Sequence, residues 1–212
     1  MAQQVNTTRH LTGVDSILIK KENPNKFNFG HFFNSDTSYA ILLKTFKGND
    51  SSVTYFRLTF YEKTNETWNK KNEYDSLKTF EKPKTKFSNY NHDGLSDYLV
   101  SAEIVGSGGN ETEYLFIFDS HTRSLRLISG FENLPSTSYN IKTGIITSIG
   151  LAASIPNYEY YKIINFQLKK IGGKEIWIDN NYGYLQKYRI NNGNKIIYHK
   201  EKKKLPFDLY KW

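Results

Sequence analysis

Short runs of apolar residues alternate with polar turns along most of the chain. The runs are rich in β-branched and aromatic residues, and several alternate apolar with polar positions, which is typical of strands. This pattern predicts strands over residues 14–21, 39–46, 53–61, 97–105, 113–119, 125 to about 135, 141–150, 158–168, 175–178, 184–190 and 195–199. No long amphipathic helix interrupts them, so the predicted fold is all-β, an antiparallel meander in a β-sandwich or propeller-like arrangement with few or no helices.

Glycine- and asparagine-rich segments predict the connections. The polar residues 48–52 separate two predicted strands and indicate a hairpin. Asn192-Gly193 is a strong signal for a two-residue hairpin turn, and Gly172-Gly173-Lys174 predicts a tight turn. Residues 62–86 are polar and lysine-rich, which predicts a long connection or an edge element, with a short helix as an alternative. Similar strand units recur at a spacing of roughly 40 residues, which is also typical of propeller blades.

The composition indicates that aromatic residues build much of the core. Hydrophobic residues make up only 38% of the 212 residues, whereas aromatic residues make up 16%. The 16 tyrosines and 14 phenylalanines favour strands and bury large surfaces. We expect a frayed N-terminus over residues 1–13 and a single all-β domain over residues 14–212.

The net charge of +8, from 29 Lys and Arg against 21 Asp and Glu, attracts anionic partners in general. Nucleic acid, an anionic membrane surface, peptidoglycan and an acidic protein are all compatible with it. The charge is spread along the chain, with one dense cluster at Lys200-Glu201-Lys202-Lys203-Lys204. We therefore interpret the lysines mainly as solvated surface residues, and nucleic acid is not an expected partner.

The chain has no cysteine, which excludes disulfides and thiolate metal sites. It also has no apolar run of about 20 residues that would predict a transmembrane helix. Met1 to Val5 resemble an initiator methionine placed on a polar, already trimmed N-terminus. We therefore expect a periplasmic or extracellular protein whose export signal was removed, and the sequence does not indicate its oligomeric state.

Residues 89–97 carry oxygen-bearing side chains at the first, third, fifth and ninth positions and a glycine, Gly94, at the sixth. That is the layout of a loop wrapped around a hard cation, in which glycine allows the sharp turn and the seventh residue adds a backbone carbonyl. The candidate ligands of a weak, structural calcium ion are Asn89, Asn91, Asp93, Leu95 and Asp97. The alternative is a simple turn in which Asn and Asp side chains cap backbone groups, with His92 pointing outward.

Residues 106–110, Gly-Ser-Gly-Gly-Asn, connect two predicted strands. Small residues at a hairpin tip let backbone amides approach a partner closely. Ser107, Gly108, Gly109 and Asn110 are therefore the candidate partner-binding residues, the alternative being a flexible tip without a function. The segment lacks the Gly-Lys-Ser/Thr and the following helix that a phosphate-binding loop requires.

No arrangement of residues indicates an enzyme. Asp119, Ser120 and His121 are adjacent in a turn and cannot converge as a triad without distant partners. The five histidines are scattered, without the spacing of metal ligands.

The central part of the chain resembles a family of secreted or periplasmic bacterial β-proteins. Four successive segments carry the resemblance: the loop at 89–97, the strand at Tyr98-Leu99-Val100, the loop at 106–110 and the returning strand at 114–119. In that family an Asp-x-Asn-x-Asp-Gly-x-x-Asp loop precedes a strand, a Gly-Ser-Gly-Gly-Asn loop and a tyrosine-rich returning strand. Its members are similar to invertebrate-type lysozyme inhibitors, and some are immunity proteins against peptidoglycan-cleaving effectors. The resemblance covers about residues 87–150. This chain departs from it at Asn89, where the family has aspartate, and integrin-type FG-GAP repeats share the first motif.

The resemblance implies a non-enzymatic inhibitor or immunity protein that blocks a secreted toxin or hydrolase. It implies that residues 107–110 enter the cleft of that protein, while the loop at 89–97 supports the scaffold. The alternative function is a calcium-supported surface adhesion or glycan-binding β-module, in which tyrosines stack on sugars.

Overall fold

The computed structural model describes residues 9–10, 27–28, 39–47, 53–65, 67–79, 82–105, 110–152 and 155–204. Fifteen strands account for most of them: β1 (Arg9–His10), β2 (Phe27–Asn28), β3 (Tyr39–Lys47), β4 (Thr54–Thr64), β5 (Thr67–Thr79), β6 (Thr85–Ser88), β7 (Asp97–Val105), β8 (Asn110–Asp119), β9 (Ser124–Leu127), β10 (Thr137–Asn140), β11 (Ile145–Ala152), β12 (Ile155–Ile164), β13 (Gln167–Asp179), β14 (Tyr182–Asn191) and β15 (Asn194–Lys204). A 3-10 turn at Phe131–Asn133 is the one helical element within these ranges. The all-β prediction is confirmed.

The strands form three antiparallel sheets. Their orders are β1-β5-β4-β3-β2, β6-β7-β8-β9 and β10-β11-β12-β13-β14-β15. The chain divides into two compact units. The first unit comprises the described residues up to Asn89, together with 93–103 and 114–127, and the second comprises residues 90–92, the described part of 104–113 and the described residues from 128 onward.

The first unit is a β-sandwich whose core is mostly aromatic. Its two sheets bury one continuous cluster, which contains Tyr39, Ile41, Phe56, Leu58, Phe60, Tyr74, Leu77, Tyr98, Val100, Ala102, Tyr114, Phe116, Phe118 and Leu125. The rings meet mainly edge to face, as for Phe56 and Tyr114 at 5.4 Å. Tyr74 on β5 joins the sheets, because its hydroxyl donates to the Leu125 carbonyl at 2.9 Å and accepts from the Leu127 amide at 3.0 Å. The prediction that aromatics build the core is therefore confirmed here.

The second unit contains the six-stranded meander β10–β15. Each strand pairs with the next along the chain, and the pair β14–β15 is closed by Asn192 and Gly193 between the partners Asn191 and Asn194. Both turn residues have positive φ, 48° and 77°, as a type I′ turn requires. The hairpin predicted from Asn-Gly is confirmed.

Two sequence predictions about the meander were wrong. The single strand predicted at 158–168 is interrupted by a turn at Asn165 and Phe166, whose φ values are 50° and 59°, and β13 begins at Gln167. Gly172 and Gly173 do not form a turn but lie buried inside β13. A Cβ at Gly172 would lie 2.5 Å from the Tyr188 carbonyl oxygen, and one at Gly173 would lie 2.5 Å from the Tyr158 carbonyl oxygen. These glycines therefore serve the close approach of neighbouring backbones.

Residues 62–86 were predicted as a long connection or an edge element. The long connection was wrong, because residues 67–79 form the strand β5, which lies next to the edge of its sheet. This strand pairs with β4 along its length and with the two-residue β1 on its other side. Its polar composition is misleading, since Asn72, Tyr74, Leu77 and Thr79 are all buried. The Asn72 side-chain nitrogen donates to the Leu125 carbonyl, whereas its Oδ1 is buried and has no hydrogen-bond partner among the described residues. The strand predicted from Leu125 to near Pro135 is shorter than expected, because β9 ends at Leu127 and a 3-10 turn follows at Phe131–Asn133.

Several predictions fall on residues that the structure does not describe: the strand at 14–21, residues 106–109, and all of 1–13 except Arg9–His10. The extent of the predicted single domain stays a prediction. Among the described residues, no helix is both long and apolar enough to cross a membrane.

Candidate functional site

The predicted ion loop connects β6 to β7 without regular structure. His92 and Gly94 have positive φ values of 63° and 83°, so the chain turns sharply there. A Cβ at Gly94 would meet nothing within 4 Å, which means that the backbone conformation and not crowding favours glycine at this position. The turn at the sixth position is therefore present as an ion loop requires.

The predicted ligands have different environments. Asp97 is completely buried, and its Oδ1 accepts a hydrogen bond of 3.2 Å from the Phe118 amide. Asp93 is exposed, and its Oδ1 accepts from the Leu95 amide at 2.8 Å, which forms an Asx turn. Asn91 and Leu95 are half-buried. The structure thus links the Asp93 side chain to the Leu95 amide. A hydrogen bond to the Phe118 amide ties the Asp97 side chain to the neighbouring strand β8.

Asn89 shows the feature that best fits an ion. Its side-chain Oδ1 is buried and has no hydrogen-bond partner among the described residues. A buried, unsatisfied amide oxygen is costly, and a cation would satisfy it. Within the described ranges, no three His, Cys, Asp or Glu residues form a metal-binding group, so a calcium ion would depend on amide and carbonyl oxygens as much as on Asp93 and Asp97. Calcium binding stays a prediction.

The predicted partner-binding loop begins where β7 ends, and three of its predicted contact residues, Ser107, Gly108 and Gly109, lie outside the described residues. The fourth, Asn110, is the first residue of β8 and is 7% exposed. Its Oδ1 accepts a hydrogen bond of 3.3 Å from the Leu151 amide on β11. The Glu111 carbonyl accepts a second bond of 2.7 Å from the Ser136 amide. Two hydrogen bonds to β11 and to Ser136 therefore fix Asn110 and Glu111 at the start of β8.

A cleft of 320 Å³ lies in the second unit, and sequence reasoning missed it. Its lining residues are Tyr90, Asn91, His92, Tyr139, Lys142, Thr143, Gly144, Lys162 and Ile163. Tyr139 stacks on Tyr90 at 4.8 Å and meets the ring of the exposed His92 edge-on at 5.6 Å. The lining contains two lysines and no carboxylate. No sequence signal pointed to it, because its residues come from three separate segments.

The β10–β11 turn positions one side of this cleft. Asn140 Oδ1 accepts hydrogen bonds from the amides of Lys142 and Thr143, at 3.0 and 3.3 Å. Its carbonyl accepts from the Gly144 amide at 2.9 Å. Lys142 and Lys162 make no ion pair with a described residue. The cleft therefore presents two available cations beside a tyrosine pair, an arrangement that suits an anionic or hydroxyl-rich ligand.

The charge is concentrated in the last four strands, which corrects the expectation that it is spread along the chain. Residues 155–204 contain eleven Lys and Arg against four Asp and Glu, a net charge of +7 out of the chain's +8. Several of these lysines lie over tyrosine rings, such as Lys174 at 3.7 Å from the Tyr158 ring centre and Lys202 at 4.0 Å from that of Tyr182. Burial lowers the pKa of Lys174, and Lys187 lowers it further.

The residues considered for a triad have a structural role. Asp119 is 4% exposed, and its Oδ1 accepts from the His121 amide at 2.9 Å while its Oδ2 accepts from the Thr122 hydroxyl at 2.9 Å. Arg126 forms an ion pair with it at 2.5 Å. Burial raises the pKa of the Asp119 carboxyl, but the hydrogen bonds from Thr122 and His121 and the charge of Arg126 outweigh burial and hold it below its ordinary value. Asp119 thus organises the β8–β9 turn.

Comparison with protein-family models and with curated proteins finds no match. Among solved structures, the chain is similar to a protein described as "Structure of a Xanthomonas Type IV Secretion System related protein", with a TM-score of 0.52 and 14% sequence identity. The similarity covers 76% of this chain and 90% of that one. At this identity it shows a shared fold, and the chain therefore has the all-β architecture of that secretion-related protein.

Proposed function

We propose that this chain is a non-enzymatic, extracytoplasmic binding protein that inhibits a secreted, peptidoglycan-cleaving hydrolase or toxin. The observation that carries the proposal is the hydrogen bond from the Leu151 amide to Asn110 Oδ1, which fixes the end of the Gly-Ser-Gly-Gly-Asn segment. An inhibitory loop gains affinity when its ends are held before binding, because less conformational entropy is then lost. Ser107, Gly108 and Gly109 directly precede Asn110 in the chain. Their side chains are small enough to enter a narrow active-site cleft of the target enzyme.

The motifs of residues 89–100 and 106–119 support the same proposal through their resemblance to lysozyme inhibitors. The fold shared with a Type IV secretion system related protein is compatible with it. In this arrangement the ion loop stabilises the start of β7, and residues 106–109 follow its last residue. A small polar loop is suited to a glycosidase cleft, where hydroxyl and amide groups reach the catalytic carboxylates.

The test is inhibition of peptidoglycan hydrolysis by a panel of lysozymes and by any secreted hydrolase encoded next to this gene. Wild-type protein should inhibit one of these enzymes and co-purify with it. Ser107→Trp and Gly108→Trp should abolish both effects, since an indole is too large for the cleft. Ser120→Trp, in the exposed β8–β9 turn, is the matched control and should leave inhibition intact. Unchanged affinity of the Ser107 and Gly108 variants for the co-purified enzyme would remove this loop from the mechanism.

A second candidate is calcium-supported glycan binding. It is favoured by the cleft, because Tyr90, Asn91 and His92 of the predicted ion loop line it together with Tyr139. An ion that orders the loop would then also order the ligand site. Glycan-array binding that a chelator removes, and that Lys142→Ser weakens for acidic glycans, would favour this candidate. Binding that does not respond to a chelator would count against it.

A further inference from the structure

One face of the β13–β15 ribbon combines exposed apolar side chains with lysines. Paired residues in an antiparallel sheet share a face, and so do alternate residues along a strand. The register places Trp177, Tyr184 and Lys202 in one row. The neighbouring rows add Glu175, Gln186 and Lys200 on one side and Asp179, Tyr182 and Lys204 on the other, and Ile197 follows through its pairing with Tyr188. Glu175 forms an ion pair with Lys195, so the face keeps more lysines than carboxylates. We call this surface the aromatic–lysine face, and its members are Trp177, Tyr182, Tyr184, Ile197, Lys200, Lys202 and Lys204.

The apolar members of this face are unusually exposed for their size. Trp177 is 41% exposed, Ile197 40% and Tyr182 37%. Trp177 stacks on Tyr184 at 5.3 Å with nearly parallel rings. Clusters of exposed large apolar side chains mark interaction surfaces, whereas single ones are ordinary. Trp177, Tyr182 and Tyr184 occupy neighbouring positions and form a patch, and Ile197 lies on the same face two rows further along.

The lysines of the face differ from those on the opposite side of β15. Lys203, which points to the other face, forms an ion pair with Glu201 at 3.0 Å. Lys200, Lys202 and Lys204 make no ion pair with any described residue, and Lys202 lies over the rings of Tyr182 and Tyr184 at 4.0 and 5.4 Å. Lysines on an edge strand discourage strand pairing between molecules. That role does not require Trp177, Tyr182 and Ile197 to be exposed beside them.

We propose that the aromatic–lysine face docks on an anionic phospholipid surface. Trp and Tyr favour the membrane interface, and lysine side chains extend their charge toward lipid headgroups while their stems lie along apolar surface. An aliphatic side chain such as Ile197 gains from insertion into that interface, but it offers no ring for stacking on a nucleic-acid base. The set as a whole therefore fits a lipid surface better than nucleic acid. In this proposal the face lies against the membrane surface.

This proposal is independent of the inhibitory role, because it uses none of the residues 106–110. It implies that the protein is held near the membrane through β13–β15. The attraction between the three lysines and an anionic surface falls with ionic strength, since the Debye length shortens. The apolar contribution of Trp177 and Ile197 is much less sensitive to salt.

The test is co-sedimentation of the full chain with vesicles of equimolar phosphatidylglycerol and phosphatidylcholine, and with vesicles of phosphatidylcholine alone. Wild-type protein should bind the anionic vesicles and lose most of this binding at high salt. The triple variant Lys200→Ser, Lys202→Ser, Lys204→Ser should bind on the order of 100-fold more weakly. The matched charge control, Lys169→Ser, Lys187→Ser, Arg189→Ser, removes the same charge away from the face and should bind far better than that variant.

The apolar part of the face has its own control. Trp177→Ser with Ile197→Ser should weaken vesicle binding by about tenfold or more. Ile141→Ser with Ile164→Ser removes two side chains that are even more exposed, 62% and 49%, but lie outside the face, and it should have little effect. Circular dichroism confirms that each variant is folded. In a Trp68→Phe, Trp212→Phe background, the fluorescence of Trp177 should shift to the blue when anionic vesicles are added.

Three outcomes would overturn the proposal. The first is equal binding, or no binding, to the two kinds of vesicle. The second is an equal loss of binding in the control variants. The third combines two results: vesicles leave the Trp177 fluorescence spectrum unchanged, and a short DNA duplex binds the protein. If that DNA binding depends on Lys200, Lys202 and Lys204, the face would be assigned to nucleic acid.

Discussion

The amide of Phe118 donates a hydrogen bond of 3.2 Å to Oδ1 of Asp97, and both residues are completely buried. Asp97 is the first residue of β7 and the last of the predicted ion loop, whereas Phe118 lies on β8 in the aromatic core of the first unit. One carboxylate therefore ties the end of the loop to the core. Its Oδ1 serves as a backbone hydrogen-bond acceptor.

Replacement of Asp97 should destabilise the protein in a graded way. Asp97→Ala removes the acceptor of the hydrogen bond from the buried Phe118 amide, and the loss should cost about 1–3 kcal/mol in the free energy of unfolding. Asp97→Asn retains an oxygen at this position and should cost less. Urea unfolding at neutral pH measures both. Equal destabilisation by the two variants would show that the negative charge, and not the hydrogen bond, is what the fold needs.

Calcium should raise the stability of the wild-type protein. With two carboxylates in the loop we expect a dissociation constant of roughly 10⁻⁴ to 10⁻³ M. At about 10 mM calcium this corresponds to a stabilisation of about 1.4 to 2.7 kcal/mol. Thermal unfolding with calcium, with magnesium and with a chelator measures it.

The loop ligands provide the control for the calcium effect. Asn89→Ala removes the buried oxygen that lacks a partner, and Asp93→Asn removes an exposed carboxylate. Both should reduce the calcium-dependent shift, and Asp93→Asn should change stability little in the presence of a chelator. A calcium shift that survives in both variants would place the ion elsewhere, and the lack of any shift would leave residues 89–97 as an ordinary turn.

Gly172→Ala should be strongly destabilising although the residue lies in a strand with ordinary φ. Its new Cβ would lie 2.5 Å from the Tyr188 carbonyl oxygen, so β13 and β14 would have to move apart. Overpacking of this kind costs about 1–3 kcal/mol. Gly150→Ala is the matched control, because its Cβ would meet Pro135 at an ordinary 3.6 Å. Similar chemical-denaturation midpoints for the two variants would contradict the close-approach explanation.

Two glycine-containing dipeptides show how far the sequence could predict the structure. Asn192-Gly193 was predicted correctly because a turn of this type requires a local conformation that few other residues adopt. Gly172-Gly173 was predicted wrongly because the requirement there is the proximity of Tyr158 and Tyr188, which are distant in sequence. Local conformational preference is visible in a sequence, whereas tertiary crowding is not.

The same distinction explains the result for β5 and for the candidate sites. The polar residues of 67–79 hid a strand in which Asn72 is buried and donates a hydrogen bond to a carbonyl of β9. The cleft escaped prediction because Tyr90, Tyr139 and Lys162 meet only in the folded chain. The aromatic–lysine face depends on cross-strand register, which aligns Trp177 with Lys202 through Tyr184. In contrast, the sharp turn at Gly94 could be predicted from spacing within nine residues.

Asp119 should make stability depend on acidity. Its folded-state pKa lies below the unfolded value of about 3.9, because the hydrogen bonds and Arg126 outweigh burial. A lowered folded-state pKa means that the native protein favours the ionised form. The stabilisation is therefore present above about pH 4 and is lost as the pH falls toward the folded-state pKa.

The measurement is the free energy of unfolding between about pH 7 and pH 3 for wild type and Asp119→Asn. Other carboxylates contribute to the acid dependence, since Arg57 lowers the pKa of Asp75, and Lys170 lowers that of Glu159 against the effect of burial. The informative quantity is therefore the difference between the two proteins. The wild type should be more stable at neutral pH, and its advantage should shrink as the solution is acidified below about pH 4. A difference that stays constant across this range would show that Asp119 acts through its hydrogen-bond geometry alone and not through its charge.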